Sequence, residues 1–292
     1  MAVEISDATE LKAVENDLLG DYVLVNDIDI GGAFEPIGYG TTSFRSDFEG
    51  TFDGQGYIIS NATMSYSSDD YIGLFARNEG TIQNLGVTNS SASGNMYVGV
   101  LTGWNSSNIY KCFVTGSAEA AVYIAGGIYG MAIGGEVEDC YSEVNTVAPS
   151  DTGSFAGRNV NSAIRRCYSI GTVTADTDYG GFVGSIYNSS SDFADVGNYW
   201  DTETSSVSTS PMGTGKTTSQ MQTQSTFSGW DFTDTWTMDG YPELQWSAPA
   251  PVGITCKHWN GSSWADGDVK IWNGSSWATP TSLKTWDGST WN

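Results

Sequence analysis

Basic residues are scarce in this chain of 292 residues, where 11 Lys and Arg stand against 34 Asp and Glu. The formal net charge is −23, so the surface would repel a phosphate backbone, and this argues against a nucleic-acid partner. No apolar run approaches the roughly 18 residues of a membrane span, so we expect no membrane insertion. Strong acidity is typical of proteins at high salt, where repulsion between carboxylates is screened, although an ordinary acidic extracellular protein is the alternative.

The sequence also contains too few histidines for most histidine-dependent chemistry. His258 is the only histidine, which argues against zinc sites with histidine ligands and against Ser-His-Asp hydrolysis. The segment from Gly213 to Thr218 imitates a phosphate-binding loop, but Ser210 stands where the first glycine belongs. We therefore expect a structural loop there and no cofactor of the nucleotide type.

Glycine is abundant, with 36 residues, and aromatic residues make up 13%, a composition typical of an all-β chain rich in turns. Two apolar patterns recur in the same register with steps of 26 to 28 residues. This period predicts a right-handed parallel β-helix, with a β-sandwich as the alternative. The glycines are expected at sharp corners or at positive φ. The aligned positions are Gly73, Gly99, Gly127, Ser154 and Gly181 in one pattern and Ile82, Ile109, Val137 and Ile164 in the other.

The chain ends of a solenoid need caps, because an unpaired strand edge invites aggregation. Asp7 and Glu10 have capping-box spacing, and Leu11, Val14 and Leu18 lie on one face of a short predicted helix. The predicted domains are a helical cap at 1–20, the parallel β-helix at 21–200, its closing segment at 201–247, a Pro-rich linker at 248–256 and a Trp-repeat β module at 257–292.

Several longer motifs accompany the repeats, namely Phe34–Gly38, Phe48–Gly54, Asn198–Asp201 and Gly229–Trp246. Together with the glycine-centred repeats they resemble the GLUG-motif β-helix proteins. Such repeats occur in microbial surface adhesins, in virus-encoded proteins and, as non-catalytic segments, in some secreted peptidases. The resemblance implies a fold and no particular chemistry.

Six tryptophans lie in the C-terminal segment, in three copies of a Trp-x-Gly-x-x-Trp pattern that resembles terminal repeats of tailed-virus structural proteins. Asn-Gly and Asp-Gly favour tight turns, so each copy predicts a hairpin with a Trp on either side. We expect these rings to contact a glycan receptor or to serve as an assembly contact. The residues are Trp259, Trp264, Trp272, Trp277, Trp286 and Trp291.

Cysteine and carboxylate clusters supply two further predictions. Three cysteines occupy equivalent positions in successive coils. They predict an inward ladder of free thiols, because three cysteines in a row cannot all form disulfides with one another. An acidic, loop-rich stretch supplies oxygen ligands of the kind that Ca²⁺ prefers, with a solvated acidic surface as the alternative. The ladder is Cys112, Cys140 and Cys167, and the calcium ligands would be Asp192, Asp195, Asp201 and Glu203.

Paired carboxylates are the remaining catalytic candidates, since glycoside hydrolysis needs two carboxyl groups about 5 to 10 Å apart. In so acidic a chain, neighbouring acids are expected by chance, and we therefore expect no enzyme and no catalytic residue. A polysaccharide-degrading tailspike is the alternative. The pairs are Asp69 with Asp70, Glu136 with Glu138, Asp176 with Asp178, and Asp192 with Asp195.

The function favoured by the sequence is a non-enzymatic virion protein, a tail fibre, spike or capsid turret, that contacts the host envelope. No secretory signal is visible from Met1 to Asp7, which indicates assembly in the host cytoplasm and a final place on the virion surface. The expected partners are other virion proteins, an envelope glycan or glycoprotein, and further copies in a trimer or pentamer. A cell-surface adhesin is the alternative.

Overall fold

The computed structural model describes residues 2–39, 47–187 and 195–247, and the backbone of four strands in the C-terminal segment. The chain divides into two compact units, Met1–Leu244 and Gln245–Asn292. Within the described residues no helix has the length and apolarity needed to cross a membrane.

The first unit is a parallel β-solenoid, as the repeat period predicts. A complete coil passes in turn through four parallel sheets, which we name A, B, C and D. Sheet A contains Val3–Ile5, Tyr22–Leu24, Thr51–Asp53, Thr81–Gln83, Asn108–Tyr110, Glu136–Glu138, Ala163–Arg165 and Asp195–Val196. Sheet B contains Ile28–Ala33, Ile58–Tyr66, Gly86–Gly94, Phe113–Ala120, Tyr141–Val147, Tyr168–Ser169, Val173–Thr174, Tyr199–Asp201 and Thr214–Lys216.

Sheets C and D have fewer strands than sheets A and B, four and five, and complete only some of the coils. Sheet C contains Val98–Gly99, Ala125–Gly126, Thr152–Gly153 and Tyr179–Gly180. Sheet D contains Phe75–Asn78, Thr102–Asn105, Tyr129–Ile133, Ala156–Val160 and Val183–Ile186. The inward side chains of the sheets form one continuous core, which runs from Ile5 to Met212.

The strand register corrects the alignment of the glycine pattern. Gly99 pairs with Gly126, so the predicted equivalence of Gly99 with Gly127 was wrong by one residue. The predicted equivalence of Gly127, Ser154 and Gly181 with one another was correct, because Ala125 pairs with Thr152 and Gly153 pairs with Gly180. Adjacent small residues in these coils allowed both alignments. The second pattern was correct, because its strands pair Ile82 with Ile109, Ile109 with Val137 and Val137 with Ile164.

The glycines of the corrected pattern are required by close packing. A Cβ on Gly126 would lie 2.2 Å from the Tyr129 carbonyl oxygen and 2.3 Å from the Gly157 nitrogen. Of the two expected roles, sharp corners or positive φ, the repeat glycines do not take positive φ, and the left-handed corners after four of the sheet A strands use other residues. Those left-handed residues, with φ between 50° and 53°, are Asn84, Lys111, Asp139 and Arg166.

The N-terminal cap begins with a strand that the sequence pattern did not indicate, because Val3–Ile5 pairs with Tyr22–Leu24 in sheet A. The predicted helix spans Ala8–Ala13 and continues as a 3-10 turn at Val14–Asn16. Asp7 caps it by accepting hydrogen bonds from the Thr9 and Glu10 amides. Leu11 and Val14 are fully buried.

The predicted ladder cysteines occupy successive coils, and all three are buried and free. The Cys112 amide donates to the Cys140 sulfur at 3.4 Å, and the Cys140 amide donates to the Cys167 sulfur at 3.4 Å. Asn198 takes the next position, where its Oδ1 accepts from the Cys167 amide at 2.9 Å and its Nδ2 donates to the Ile164 carbonyl at 2.7 Å. Burial raises the pKa of the Cys112 and Cys167 thiols well above the ordinary value.

The closing segment lies against sheet B. It contains helices at Thr202–Ser205 and Thr218–Met221, a 3-10 turn at Gln224–Thr226, and an antiparallel pair formed by Trp236–Asp239 and Tyr241–Leu244. Its buried Trp236 donates to the Asp139 carboxylate at 3.1 Å, and the Tyr168 hydroxyl donates to the Pro242 carbonyl at 2.6 Å. These contacts join the segment to coils far away along the chain.

The second unit contains two antiparallel strand pairs. Thr255–Trp259 pairs with Trp264–Asp268, and Ile271–Trp272 pairs with Trp277–Ala278. In both pairs the tryptophans of one repeat stand opposite each other, which confirms the predicted hairpin for two of the three copies. The third copy, with Trp286 and Trp291, lies outside the described residues.

Candidate functional site

One lateral surface of the solenoid combines aromatic rings with two of the scarce arginines. In sheet D, Arg77, Trp104, Met131 and Arg158 are in register on four successive coils. Each is half-buried, and the residues beside each one along its strand are buried in the core, so the four side chains lie on the outer face. A row of ring and guanidinium groups therefore follows the solenoid axis with a rung spacing of about 4.8 Å.

Tyrosines extend this row at the corner before sheet C. The rings of Tyr71 and Tyr97 are stacked, with centroids 4.8 Å apart and planes 9° apart. Both residues have left-handed backbones, with φ of 61° and 59°. Such a conformation costs a bulky residue about 1–3 kcal/mol and is concentrated at functional sites. On the next coil Tyr123 is 40% exposed.

Arg77 organises the first end of this surface. Its guanidinium carbon lies 3.9 Å from the centroid of the Trp104 ring and 5.4 Å from that of the Tyr71 ring. Its Nε is 2.5 Å from the Asp47 Oδ1 atom, and its Nη2 is 3.8 Å from Glu79. We call these five residues the Arg77 cluster.

Arg158 repeats the arrangement three coils away. Its guanidinium carbon lies 5.1 Å from the centroid of the Tyr123 ring and 5.0 Å from that of the Tyr187 ring. Its Nη2 donates to the carboxylate of Asp151, which is 2% exposed. We call these four residues the Arg158 cluster, and we call the two clusters with Tyr97 and Met131 the aromatic face.

The local electrostatics of the aromatic face are balanced. Each arginine is paired with a carboxylate, so neither cluster carries an excess of positive charge. The pKa of Glu79 is raised mainly by burial and, to a smaller extent, by a hydrogen bond with Asp47. The pKa of the Tyr97 hydroxyl is raised mainly by burial and, to a smaller extent, by the neighbouring Tyr71. The clusters therefore offer fixed donors, acceptors and ring surfaces, which suit a ligand rich in hydroxyl groups.

The sequence contained a signal for the aromatic face that the analysis of local motifs missed. Arg77 and Arg158 are 81 residues apart, which is three repeats of 27 residues. Tyr71 and Tyr97 occupy the same place in two successive repeats. Writing the chain out in its 27-residue period would have placed all four on one side.

Two of the four candidate catalytic pairs, Glu136 with Glu138 and Asp69 with Asp70, make internal side-chain contacts. Glu136 forms an ion pair with Arg165, and Glu138 forms one with Arg166. Asp70 accepts a hydrogen bond from Asn95 at 2.9 Å. The pairs of Asp69 with Asp70 and Asp176 with Asp178 lie on the described solenoid, whereas Asp192 lies outside the described residues.

The predicted calcium ligands are only partly described. Asp201 is buried, accepts from the amides of Glu203 and Thr204, and accepts from the Tyr241 hydroxyl at 2.7 Å. Glu203 accepts from the Thr218 amide at 2.9 Å. Asp192 lies outside the described residues, as does the Asp195 side chain, and calcium stays a prediction. Within the described part of the chain no three His, Cys, Asp or Glu side chains gather as metal ligands.

The segment that imitates a phosphate-binding loop has a structural role. Thr214–Lys216 is a strand at the end of sheet B, paired with Tyr199–Asp201. Thr217 then begins a four-residue helix with a capping box that Gln220 completes. The predicted loop is therefore a strand and a helix start, and the absence of a nucleotide cofactor stays a prediction. The predicted receptor contacts of the Trp repeats stay a prediction.

Clefts also lie elsewhere among the described residues of the first unit, and two of them differ in their lining from the aromatic face. One, of about 420 Å³, lies beside the N-terminal helix, where Lys12 and Glu35 in its lining form an ion pair at 2.8 Å. The other, of about 270 Å³, is lined largely by small residues near Pro149. The first cleft has a single ring, Phe34, beside its ion pair, and the lining of the second contains no aromatic residue.

The comparisons with known proteins bear on the fold of the chain more than on its function. No family model matches the chain. An alignment 138 residues long, which covers 42% of this chain, shows 33% identity to Halomucin of Haloquadratum walsbyi, and the chain spans only 2% of that protein. The resemblance to GLUG-motif and tailed-virus proteins stays a prediction.

A solved structure also matches the chain. A candidate immunoglobulin A1 protease from Bacteroides ovatus has a TM-score of 0.66 and covers 84% of this chain and 93% of its own, at 22% identity. A likeness at this identity shows a common fold alone. The chain is thus a parallel β-solenoid with sequence similarity to part of Halomucin.

Proposed function

We propose that the chain is a non-enzymatic recognition module of a surface adhesin, which binds the carbohydrate coat of a cell at high salt. The observation that carries the proposal is the aromatic face, where two ring-flanked Arg–Asp pairs repeat along a rigid scaffold. A stacked solenoid holds such a surface in place because every coil is fixed by its neighbours. The similar protein Halomucin is by its name a mucin of a salt-loving organism.

High salt itself favours recognition through rings. At 1 M salt the Debye length is about 3 Å, so charges attract a ligand only at contact distance. Aromatic and apolar contacts keep their strength under those conditions. The net charge of −23 agrees with a protein that is soluble at high salt.

A virion protein that contacts its host through the same face is the second candidate. The observation that favours it is the pair of Trp hairpins, since the repeats resemble those of tailed-virus proteins. In either setting the module would act in several copies, and avidity would strengthen weak individual contacts. Other virion proteins and a homo-oligomer are partners in this second candidate.

The test is retention on intact envelopes of halophilic cells at several molar salt, with released sugar ends measured in the same samples. We expect retention without sugar release. Tyr187→Ala should weaken retention, whereas Tyr110→Ala, which removes a half-buried tyrosine from sheet A, should not. Absence of retention would contradict the proposal, and sugar release would contradict its non-enzymatic part.

A further inference from the structure

We propose that the aromatic face binds a linear, uncharged polysaccharide along the solenoid axis, with one sugar ring at each arginine cluster. This inference rests on the proposed function and names the ligand of the same surface. The two clusters share one chemistry, since in each an arginine is paired with an aspartate and lies beside two aromatic rings.

The chemistry of each cluster fits a pyranose. A guanidinium carries five N–H donors in a fixed plane, and in the Arg158 cluster one nitrogen donates to Asp151. Sugar hydroxyls both donate and accept, so a sugar ring can accept from either arginine and, in the Arg77 cluster, where the Asp47 side chain is 20% exposed, can also donate to the aspartate. The C–H face of the same ring can pack on tyrosine, and Tyr187 and Tyr123 keep 58% and 40% of their surfaces exposed.

The charge of the surface favours an uncharged ligand. Asp47 and Asp151 already compensate the two arginines, and Glu79 and Asp70 add negative charge nearby. An acidic polysaccharide would therefore approach a surface of its own sign and find no uncompensated arginine.

The geometry favours a linear chain over a single sugar. Arg77 and Arg158 occupy the same sheet D position three coils apart, which corresponds to about 14 Å at a rung spacing of about 4.8 Å. Trp104 and Met131 lie between them on the same row, so the surface is continuous. A glycan that reaches both clusters gains from effective concentration, because its second contact is intramolecular.

The test is affinity electrophoresis of the full chain at 1 M salt in gels that contain mannan, galactan, β-glucan or the acidic polymer alginate. We expect retardation by at least one of the three neutral polymers and none by alginate. Because binding at two clusters adds avidity, Tyr187→Ala and Trp104→Ala should each weaken retardation at least about tenfold, and the double variant should abolish it.

Two controls separate binding from folding. Tyr110→Ala should leave retardation unchanged, and Trp104→Phe should keep most of it because a ring remains beside Arg77. Each variant must retain the wild-type circular dichroism spectrum. If Tyr187→Ala does not, Tyr123→Ala takes its place, and if Trp104→Ala does not, Tyr71→Ala takes its place, since each substitute lies beside the same arginine.

Three results would overturn the inference. They are retardation by alginate in preference to all neutral polymers, undiminished retardation of the double variant, and no retardation by any neutral polymer. If the protein still binds cell envelopes in the last case, the proposed function stands and only this ligand assignment fails. Loss of envelope binding as well would refute both.

Discussion

Asn198 ends the cysteine ladder, and its removal should destabilise the solenoid by about 2–6 kcal/mol. The side chain is 2% exposed and satisfies the Cys167 amide and the Ile164 carbonyl. Asn198→Ala would leave both backbone groups buried without this partner. Each unsatisfied buried group costs about 1–3 kcal/mol, and two of them give the stated range.

Asn26 supplies a matched control. Its Nδ2 also makes two hydrogen bonds, to the Ser6 carbonyl at 2.8 Å and the Asp27 carbonyl at 2.9 Å. Asn26 is exposed, so water replaces the lost donor in Asn26→Ala. We expect this substitution to cost less than about 0.5 kcal/mol.

Urea unfolding at 2 M NaCl, followed by far-ultraviolet circular dichroism, compares the two variants. The lost contact lies between two adjacent coils, and solenoid stability depends on such interfaces, so the Asn198→Ala transition should shift to clearly lower urea. Equal shifts for both variants would refute the reasoning, because burial would then make no difference to the cost.

Three further predictions concern charge and thiols. Lowering the salt from 2 M to 0.1 M NaCl should lower the melting temperature measured by circular dichroism, since less screening increases repulsion within a chain of charge −23. Burial raises the pKa of Glu143 and Glu243, and Glu243 adds to the shift of Glu143, so the native state binds protons more tightly than the unfolded state. The free energy of unfolding should therefore fall as pH rises through the range above 4.5, and Glu243→Gln should reduce that slope in urea titrations. In a Cys256→Ser variant, a thiol reagent should label no ladder cysteine in native protein and all three after unfolding, because all three are buried.

The repeat period was predictable because every coil solves the same packing problem with the same spacing. The single-residue error in the glycine alignment has a local cause, since Gly126 and Gly127 both fit the pattern and only the strand register distinguishes them. The left-handed corners at Lys111 and Arg166 carried no glycine signal. Ion pairs of Arg166 with Glu138 and Asp139 accompany one of them.

The candidate site was harder to predict than the fold. Sequence analysis favoured the clustered tryptophans near the C-terminus, whereas the aromatic face joins residues from coils that are three repeats apart. Contacts such as Trp236 with Asp139, 97 positions apart, follow no period and became visible only in the folded chain. The free-thiol ladder, by contrast, follows directly from the period, because Cys112, Cys140 and Cys167 share one position.

The most direct test of the central claim measures how much protein is retained on halophilic cell envelopes at several molar salt. It compares three proteins, namely the wild type, the double variant that combines Tyr187→Ala with Trp104→Ala, and the control Tyr110→Ala. The account predicts that wild-type and Tyr110→Ala are retained equally and that the double variant is lost, with all three equally folded. Full retention of the double variant would contradict the claim that the aromatic face recognises the cell surface.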